Sequence, residues 1–321
     1  MFNRWAIRGL TLDAAGLVAI ADLKTIVYRT ALTGTASYLD VFFLAPGIHQ
    51  QQAASEVNGN EYPATAAMTT GYVFRVENQA TVSFLQRVGK PGHLTTVHVD
   101  PPLQAGVIPT FLRAEPLASV CYLTGVASTI AVVLFLGATQ DWWGVGVIGM
   151  LMTARLLNVI VIKRRSQKGW KGAKEEGVKG DLMILVSQDR WLRMQGLVDD
   201  IKSVTAGQWL REISNFESFL VSFSTLLVCI SAAFAGNAST LGSILVAFLL
   251  LVSAALLGLA NISTTKLTMF GNIVRVDGKP KQYGRRLNMV HELLVEHPNE
   301  NWAIGLGMIV PPAGKSQQVT L

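Results

Sequence analysis

Between Trp142 and Arg165 the chain reads WWGVGVIGMLMTARLLNVIVIKRR. Two tryptophans open it, an almost uncharged apolar run follows, and three consecutive basic residues close it. An apolar helix of about 20 residues spans the hydrocarbon core of a bilayer. Tryptophan favours the interface, and a basic cluster at one end favours the cytoplasmic side. This stretch restricts the chain to folds built on membrane-spanning helices, because a lipid-exposed backbone must satisfy its own hydrogen bonds.

Three further spans are expected, at about Pro116–Gln140, Phe219–Ala235 and Leu241–Ala260. Pro116 suits a first helical turn, where its missing N–H has no intrahelical partner to lose. The connections 137–141 and 236–240 are so short that each pair of helices must run antiparallel. Neither turn carries a Lys or Arg, whereas residues 1–115 carry 8, residues 163–216 carry 11 and residues 262–321 carry 7. The positive-inside rule then places all three long segments, and both termini, on the cytoplasmic side. The expected fold class is membrane α-helical, with four transmembrane helices in two hairpins and a cytoplasmic α+β module from the soluble segments. The expected division is an N-terminal cytoplasmic segment 1–115 with short strands, hairpin 116–162, and a cytoplasmic loop 163–216 with a β-hairpin and helix. Hairpin 217–261 and a cytoplasmic tail 262–321 with an amphipathic helix complete it.

Composition agrees with that class. Only 15% of residues are charged, against about 25% in an ordinary soluble domain. The net charge of +6 follows from topology and does not call for a nucleic-acid partner. Arg4 and Arg8 precede an apolar stretch broken by Asp13 and Asp22, which does not make a standard signal peptide. Cys121 and Cys229 both fall in apolar runs, where they read as small packing residues. Ala31–Ile48 is apolar except for Asp40. A central charge makes a full span costly, so a soluble or surface-lying segment is expected, with a re-entrant span as the alternative. His49–Pro63 reads as a loop.

The period changes to two between Thr70 and Asp100. TTGYVFRVEN, ATVSFLQRV and HLTTVHVD read as short strands of a small antiparallel sheet ended by Pro101-Pro102. Farther on, Leu182–Val186 and Trp191–Met194 read as a hairpin turning at Ser187–Arg190. Leu197, Ile201 and Val204 fall at helical spacing, with Asp199 and Asp200 near the helix start and Gly207 at its end. Trp209, Ile213 and Phe216 suggest an interfacial helix. The tail is expected to hold a strand NIVRV, a turn at Asp277–Pro280 and an amphipathic helix around Arg285–His297. NWAIGLGMIVPP is too short to span and is expected to pack on the soluble part. The basic, glycine-rich run from Lys163 to Gly180 reads as a loose linker.

The chemistry-bearing motifs are sparse. GVGVIG at Gly144–Gly149 matches a dinucleotide fingerprint, but it lies inside a span, where small residues would let a neighbouring helix approach. His49, His93, His98, His291 and His297 show no metal-ligand spacing, and no catalytic or cofactor motif is present. The sequons at Asn237 and Asn261 sit too close to the membrane for glycosylation. An intramembrane ionisable residue is a functional-site candidate by default, which singles out Arg155, with Asn158 on the same face. Arg155 lies close enough to the helix end to snorkel or pair. Lys163, Arg164, Arg165, Lys168 and Lys171 are candidate contacts for anionic lipid.

The stretch GWKGAKEEGVKGDLMILVSQDRWLRMQGLVDDIKSVTAGQWLR, its flanking apolar pairs and the late NWAIGLGMI resemble uncharacterised fungal integral membrane proteins over roughly residues 115–310. That resemblance brings no activity and no functional residues. The first expectation is a non-catalytic membrane-anchored module that binds a partner or lipid at the cytoplasmic face. A transporter or channel subunit is the alternative and a membrane enzyme the second. No cofactor is expected. The expected partners are membrane lipids, a protein on the cytoplasmic face and a second copy of the chain, but not nucleic acid.

Overall fold

The computed structural model describes residues 18–21, 23–101 and 115–310. The expectations for Arg4, Arg8, Asp13, Leu17, Asp22, Pro102 and the last two residues of NWAIGLGMIVPP lie outside them. The chain divides into two compact units, Met1–Val57 with Gln104–Gln167 and Trp209–Thr268, and Asn58–Leu103 with Lys168–Gln208 and Met269–Leu321.

The first unit holds helix α1 (Thr25–Thr33) and 3-10 turns at Tyr38–Phe42 and Ile48–Glu56. Four long helices follow: α3 (Pro116–Ala138), α4 (Trp142–Arg165), α6 (Asn215–Phe234) and α7 (Thr240–Ser263); α2 and α5 belong to the second unit. All four are long and apolar enough to cross a membrane. α4 packs on α6, and α3 on α7. Their outward faces carry Leu117, Leu134, Phe219, Leu226, Phe248 and Leu251, all exposed, a surface suited to lipid rather than water.

The helix starts are built by side-chain caps. Ser214 and Glu217 form a reciprocal capping box at the start of α6, satisfying two backbone N–H groups that no helical carbonyl can reach. Asp141 caps α4 through Gly144 N at 3.1 Å. The same carboxylate accepts Ser239 N at 3.0 Å and Ser239 Oγ at 2.5 Å, and Ser239 caps α7. One buried anion thus serves two helix N-termini, where the helix dipoles favour negative charge.

Ala31–Ile48 belongs to this helical unit rather than to a separate soluble segment. Phe43, Leu44, Ala45 and Ile48 share one core with Tyr122, Ile148, Leu151 and Leu250. Phe43 stacks on Tyr122 with ring centroids 5.3 Å apart. A Cβ at Gly125 would run into the Phe43 ring, so a glycine there lets this segment lie against α3. Asp40, the residue that argued against burial, is satisfied by its own Ser37 N, by the Tyr122 hydroxyl and by Arg155. The expected interfacial helix after Trp209 is absent: residues 206–214 are irregular. Trp209 is fully buried and its indole N–H donates to Gly34 O at 2.7 Å. A buried indole needs such a partner, and the helix can begin only where Ser214 caps it. Cys121 packs with Ala118 and Ala260, whereas Cys229 is exposed; neither is bonded to the other.

The chain also forms a seven-stranded sheet, six strands of which lie in the second unit. Its strands are β1 (Ala64–Ala67), β2 (Val73–Arg75), β3 (His93–Asp100), β4 (Lys179–Val186), β5 (Arg190–Leu197), β6 (Lys266–Met269) and β7 (Asn272–Gln282). The order is β2-β1-β4-β5-β3-β7-β6. β3 runs parallel to β5 and antiparallel to β7, so the sheet is mixed and larger than the antiparallel one expected. Helix α5 (Val198–Thr205) lies on the face carrying Gly180 and Gly196, whose missing side chains leave room for Ile201. α8 (Arg286–Glu296) and α9 (Asn301–Gly305) cover part of the other face, where Met289, Val290, Leu293 and Trp302 pack on Ala66, Met183 and Trp191. NWAIG therefore packs on the sheet.

Two local expectations fail here for identifiable reasons. ATVSFLQRV forms helix α2 (Gln79–Val88), not a strand, because Asn78 Oδ1 accepts Thr81 N at 3.1 Å and caps it; Thr81 Oγ1 then donates to Val204 O of α5 at 2.7 Å. Asp277–Pro280 is not a turn but lies within β7. Gly278 takes φ +68° there, opposite a register shift between Leu94 and Thr96, so the glycine allows a bulge instead of a reversal. Of the small residues of GVGVIG, Gly144 leaves room for Leu136 of α3, whose Cδ1 would lie 3.1 Å from a Cβ there, whereas a Cβ on Gly146 or Gly149 would meet nothing within 4 Å.

Candidate functional site

Arg155 is 3% exposed. Its Nε donates to Asp40 O at 3.2 Å and its Nη1 to Gln51 Oε1 at 2.9 Å, with Nη2 3.9 Å from Asp40 Oδ2. The guanidinium therefore does not snorkel. It clamps both 3-10 turns onto α4, using the planar fork that lysine lacks. The Tyr122 hydroxyl donates to Asp40 Oδ1, and Arg29 lies over the Tyr122 ring at 5.9 Å while donating to Thr264 Oγ1 at 2.9 Å. Gln51 in turn donates to Thr30 Oγ1 at 3.4 Å. Buried charge is tolerated when it is paired and hydrogen-bonded, and this cluster meets that condition with groups from six chain segments.

Asn158 has other partners. Its Nδ2 donates to Ser224 Oγ at 2.5 Å and to Ala154 O at 3.0 Å, and Ser224 Oγ donates to Ala154 O at 2.9 Å. The face shared by Arg155 and Asn158 thus splits: one residue holds the 3-10 turns and the other joins α4 to α6.

The five basic candidates are placed differently from one another. Arg165 is 7% exposed, and its Nε donates to Arg211 O at 2.9 Å, which turns it inward. Arg164 is exposed, with Nε 3.6 Å from the fully buried Glu217 carboxylate that Arg211 also grips. Lys163 Nζ lies 4.7 Å from the centre of the Tyr38 ring. In the second unit Lys168 Nζ lies 5.2 Å from the centre of the Trp170 ring, and Lys171 is exposed.

Strand register assembles a further site that spacing along the chain does not reveal. Asp181 pairs across with Gln195, Gln195 with His98, and His98 with Arg275. These four residues form one row across β4, β5, β3 and β7. Beside it, Arg193 pairs with Thr96 and Thr96 with Asp277. Side chains alternate between faces along a strand, so both rows lie on the α8 face. The result is a polar belt beside the apolar patch covered by α8 and α9.

The belt is tightly bonded. Asp181 accepts Arg193 Nη2 at 2.6 Å and Gln195 Nε2 at 2.9 Å, and His297 Nε2 lies 3.0 Å from its Oδ2. Arg193 Nη2 also reaches Glu296 Oε2 at 2.6 Å. Burial works to lower the Arg193 guanidinium, but the hydrogen bonds it donates to Asp181 and Glu296 outweigh that and raise it. At the other end, Asp100 Oδ2 accepts Arg275 Nε at 2.8 Å, and His98 Nδ1 lies 3.0 Å from Asp100 Oδ1. Partial burial works to raise the Asp100 carboxyl, yet the Arg275 hydrogen bond and charge, aided by His98, hold it below the ordinary carboxylate range. The belt presents paired charges of both signs with two imidazoles, chemistry suited to polar recognition. Among the described residues, no group of three or more His, Cys, Asp or Glu is placed to hold a metal.

No family model, curated protein or solved structure matches this chain.

Proposed function

We propose that the chain crosses a membrane four times as two antiparallel pairs, α3 with α4 and α6 with α7, with both termini cytoplasmic. Its function on this reading is non-catalytic: it holds the sheet unit at the cytoplasmic face, where that unit binds a protein partner or lipid. One observation carries the reading. The sheet unit is assembled from three chain pieces, and the pairs of apolar helices are what separate them. Each pair returns the chain to the side it left, so three pieces can fold together without crossing the bilayer themselves. The distribution of basic residues supports the cytoplasmic side. Arg155 and Asn158 bond to other parts of the protein, which supports a structural role for them over the transporter or channel alternative, and the membrane-enzyme reading has no comparable support.

Single cysteines at Ala138 and Asn237, in a Cys121→Ala/Cys229→Ala background, should react with an impermeant thiol reagent from the outer or lumenal face. A cysteine at Lys171 should react only from the opposite face, and labelling of Lys171→Cys from the outer face would overturn the topology. Function is separated by substitution. His98→Ala with Arg275→Ala should abolish the phenotype of the gene at normal abundance, and Asn158→Ala should spare it. The reverse pattern would favour transport.

A further inference from the structure

The basic run after α4 is not the loose linker its glycines suggest. Its backbone is pinned to the second unit at three points. Gly169 lies against Gly207 so closely that a Cβ on either would come within 3.0 Å of the other's Cα, and Gly207 takes φ +80°. The ammonium groups of Lys168 and Lys202 lie 5.2 and 5.6 Å from the centre of the Trp170 ring, with Gly172 folded close to the indole. Glu175 N donates to both Asp199 oxygens at 2.9 and 3.1 Å, and the Glu175 carboxylate takes the Lys202 ammonium. Glu175 and Asp199 stand at the far end of the arc; at its near end Glu77 accepts Gly207 N at 2.9 Å, and the Asp200 carboxyl feels the charge of Lys168. Between Lys163 and Lys174 the chain carries 6 basic residues and no acidic one, and Lys168, Lys171 and Lys174 are exposed.

We propose that the arc Lys168–Lys174, a fixed basic loop around Trp170, is a contact for an anionic bilayer leaflet. This rests on the membrane reading above. Chain length supplies the geometric reason. Lys168 follows the last residue of α4 by three positions and Trp170 by five. At no more than ~3.6 Å per residue, the chain keeps them within about 11 and 18 Å of that helix end. Headgroup zones extend roughly 5–7 Å beyond the hydrocarbon core, and the field of anionic lipid reaches about another 8 Å at physiological salt. Lys168, tethered at that distance, stays within the leaflet's field, and an amphipathic indole suits the interface. The pinning adds pre-organisation: the lysines are displayed on ordered backbone, so less chain entropy is lost on contact.

The test uses the full chain in lipid nanodiscs, with an environment-sensitive dye on Ala173→Cys in the Cys121→Ala/Cys229→Ala background. Headgroup-level spin-labelled lipid should quench the dye strongly in discs containing phosphatidylserine and weakly in pure phosphatidylcholine, and added salt should remove the difference. Lys168→Gln/Lys171→Gln/Lys174→Gln should weaken the phosphatidylserine-dependent association at least about fivefold, the factor for one near-surface basic residue. Equal quenching in the two lipids, or no change in the triple variant, would overturn the proposal. A dye on Phe223→Cys, on the exposed face of α6, serves as the independent check. Quenching there by mid-chain spin label in both lipids upholds the membrane reading even if the arc fails, and its absence overturns both.

Discussion

Asp141→Ala should destabilise the helical unit more than any other single substitution in its two short turns. The carboxylate is 8% exposed and makes three hydrogen bonds. Loss of the α4 cap costs about 1 kcal/mol. Ser239 N is left without its acceptor, which costs roughly a further 1–3 kcal/mol for a buried donor. The favourable placement of an anion at two helix N-termini disappears as well, at about 0.3–1 kcal/mol each. The total is about 3–6 kcal/mol, or at least about 100-fold in the folded-to-unfolded ratio. Asp141→Asn should fall between wild type and alanine, because one carbonyl oxygen can still cap α4 while the amide N–H₂ faces the Ser239 N–H. The assay is reversible denaturation in mixed micelles, with Thr139→Ala as a partly exposed control in the same turn. A double-mutant cycle with Ser239→Ala should return a coupling of at least about 1 kcal/mol. If Asp141→Ala behaves like Thr139→Ala, or the cycle is additive, the shared-cap argument is refuted.

Arg155→Leu should cost about 3–5 kcal/mol by stranding Asp40 and Gln51, and Arg155→Lys about 1–2 kcal/mol because an ammonium cannot hold Asp40 O and Gln51 Oε1 in one fork; equal midpoints for wild type and Arg155→Leu in the same micelle titration would contradict this. Glu61 is acid-sensitive: burial works to raise its carboxyl, but the Ser187 backbone N–H, Gln86 and the Ser187 hydroxyl outweigh it and hold it below its ordinary 4.5. A carboxyl lowered by folding contributes stability above 4.5 that is lost as pH falls through the lowered value, so Glu61→Gln should reduce stability near neutrality and flatten the acid limb of an unfolding curve; an unchanged acid limb would count against the reading. Asn78→Ala should cost about 1 kcal/mol through loss of the α2 cap, read as faster amide exchange in the first turn of α2, with no change in exchange there as the contrary result.

Local pattern carried much of the architecture. Apolar runs at about 116–140, 142–162, 219–235 and 241–260, with Arg155 their one charged residue, mark the four long helices, because length and apolarity alone define a candidate span. The hairpin of β4 and β5, the strand β3 and helices α5 and α8 were legible for the same reason: period and end signals lie within a few residues of each other. α2 was not, because its short apolar alternation fits either period, and only the Asn78 cap and its bond to α5 favour a helix. The segment around Asp40 was not legible either. A lone aspartate in an apolar run signals a desolvation cost, and its compensation comes from Tyr122 and Arg155, 82 and 115 residues away.

The candidate site divides along the same line. Arg155 and Asn158 stand out in the sequence because charge and amide are rare in a span, but their partners do not. Asp40, Gln51 and Ser224 are ordinary polar residues until folding brings them within bonding distance. The polar belt was invisible. Asp181, His98 and Arg275 lie on three separate strands, each in a different chain piece, and they become neighbours only through strand register, which depends on every pairing in the sheet. Sequence by itself thus determined where apolar helices begin and end and which residues are anomalous within them. Tertiary structure alone decided which distant groups neutralise those anomalies, because a buried charge is stabilised by whatever lies within a few ångströms, and chain separation carries no information about that distance.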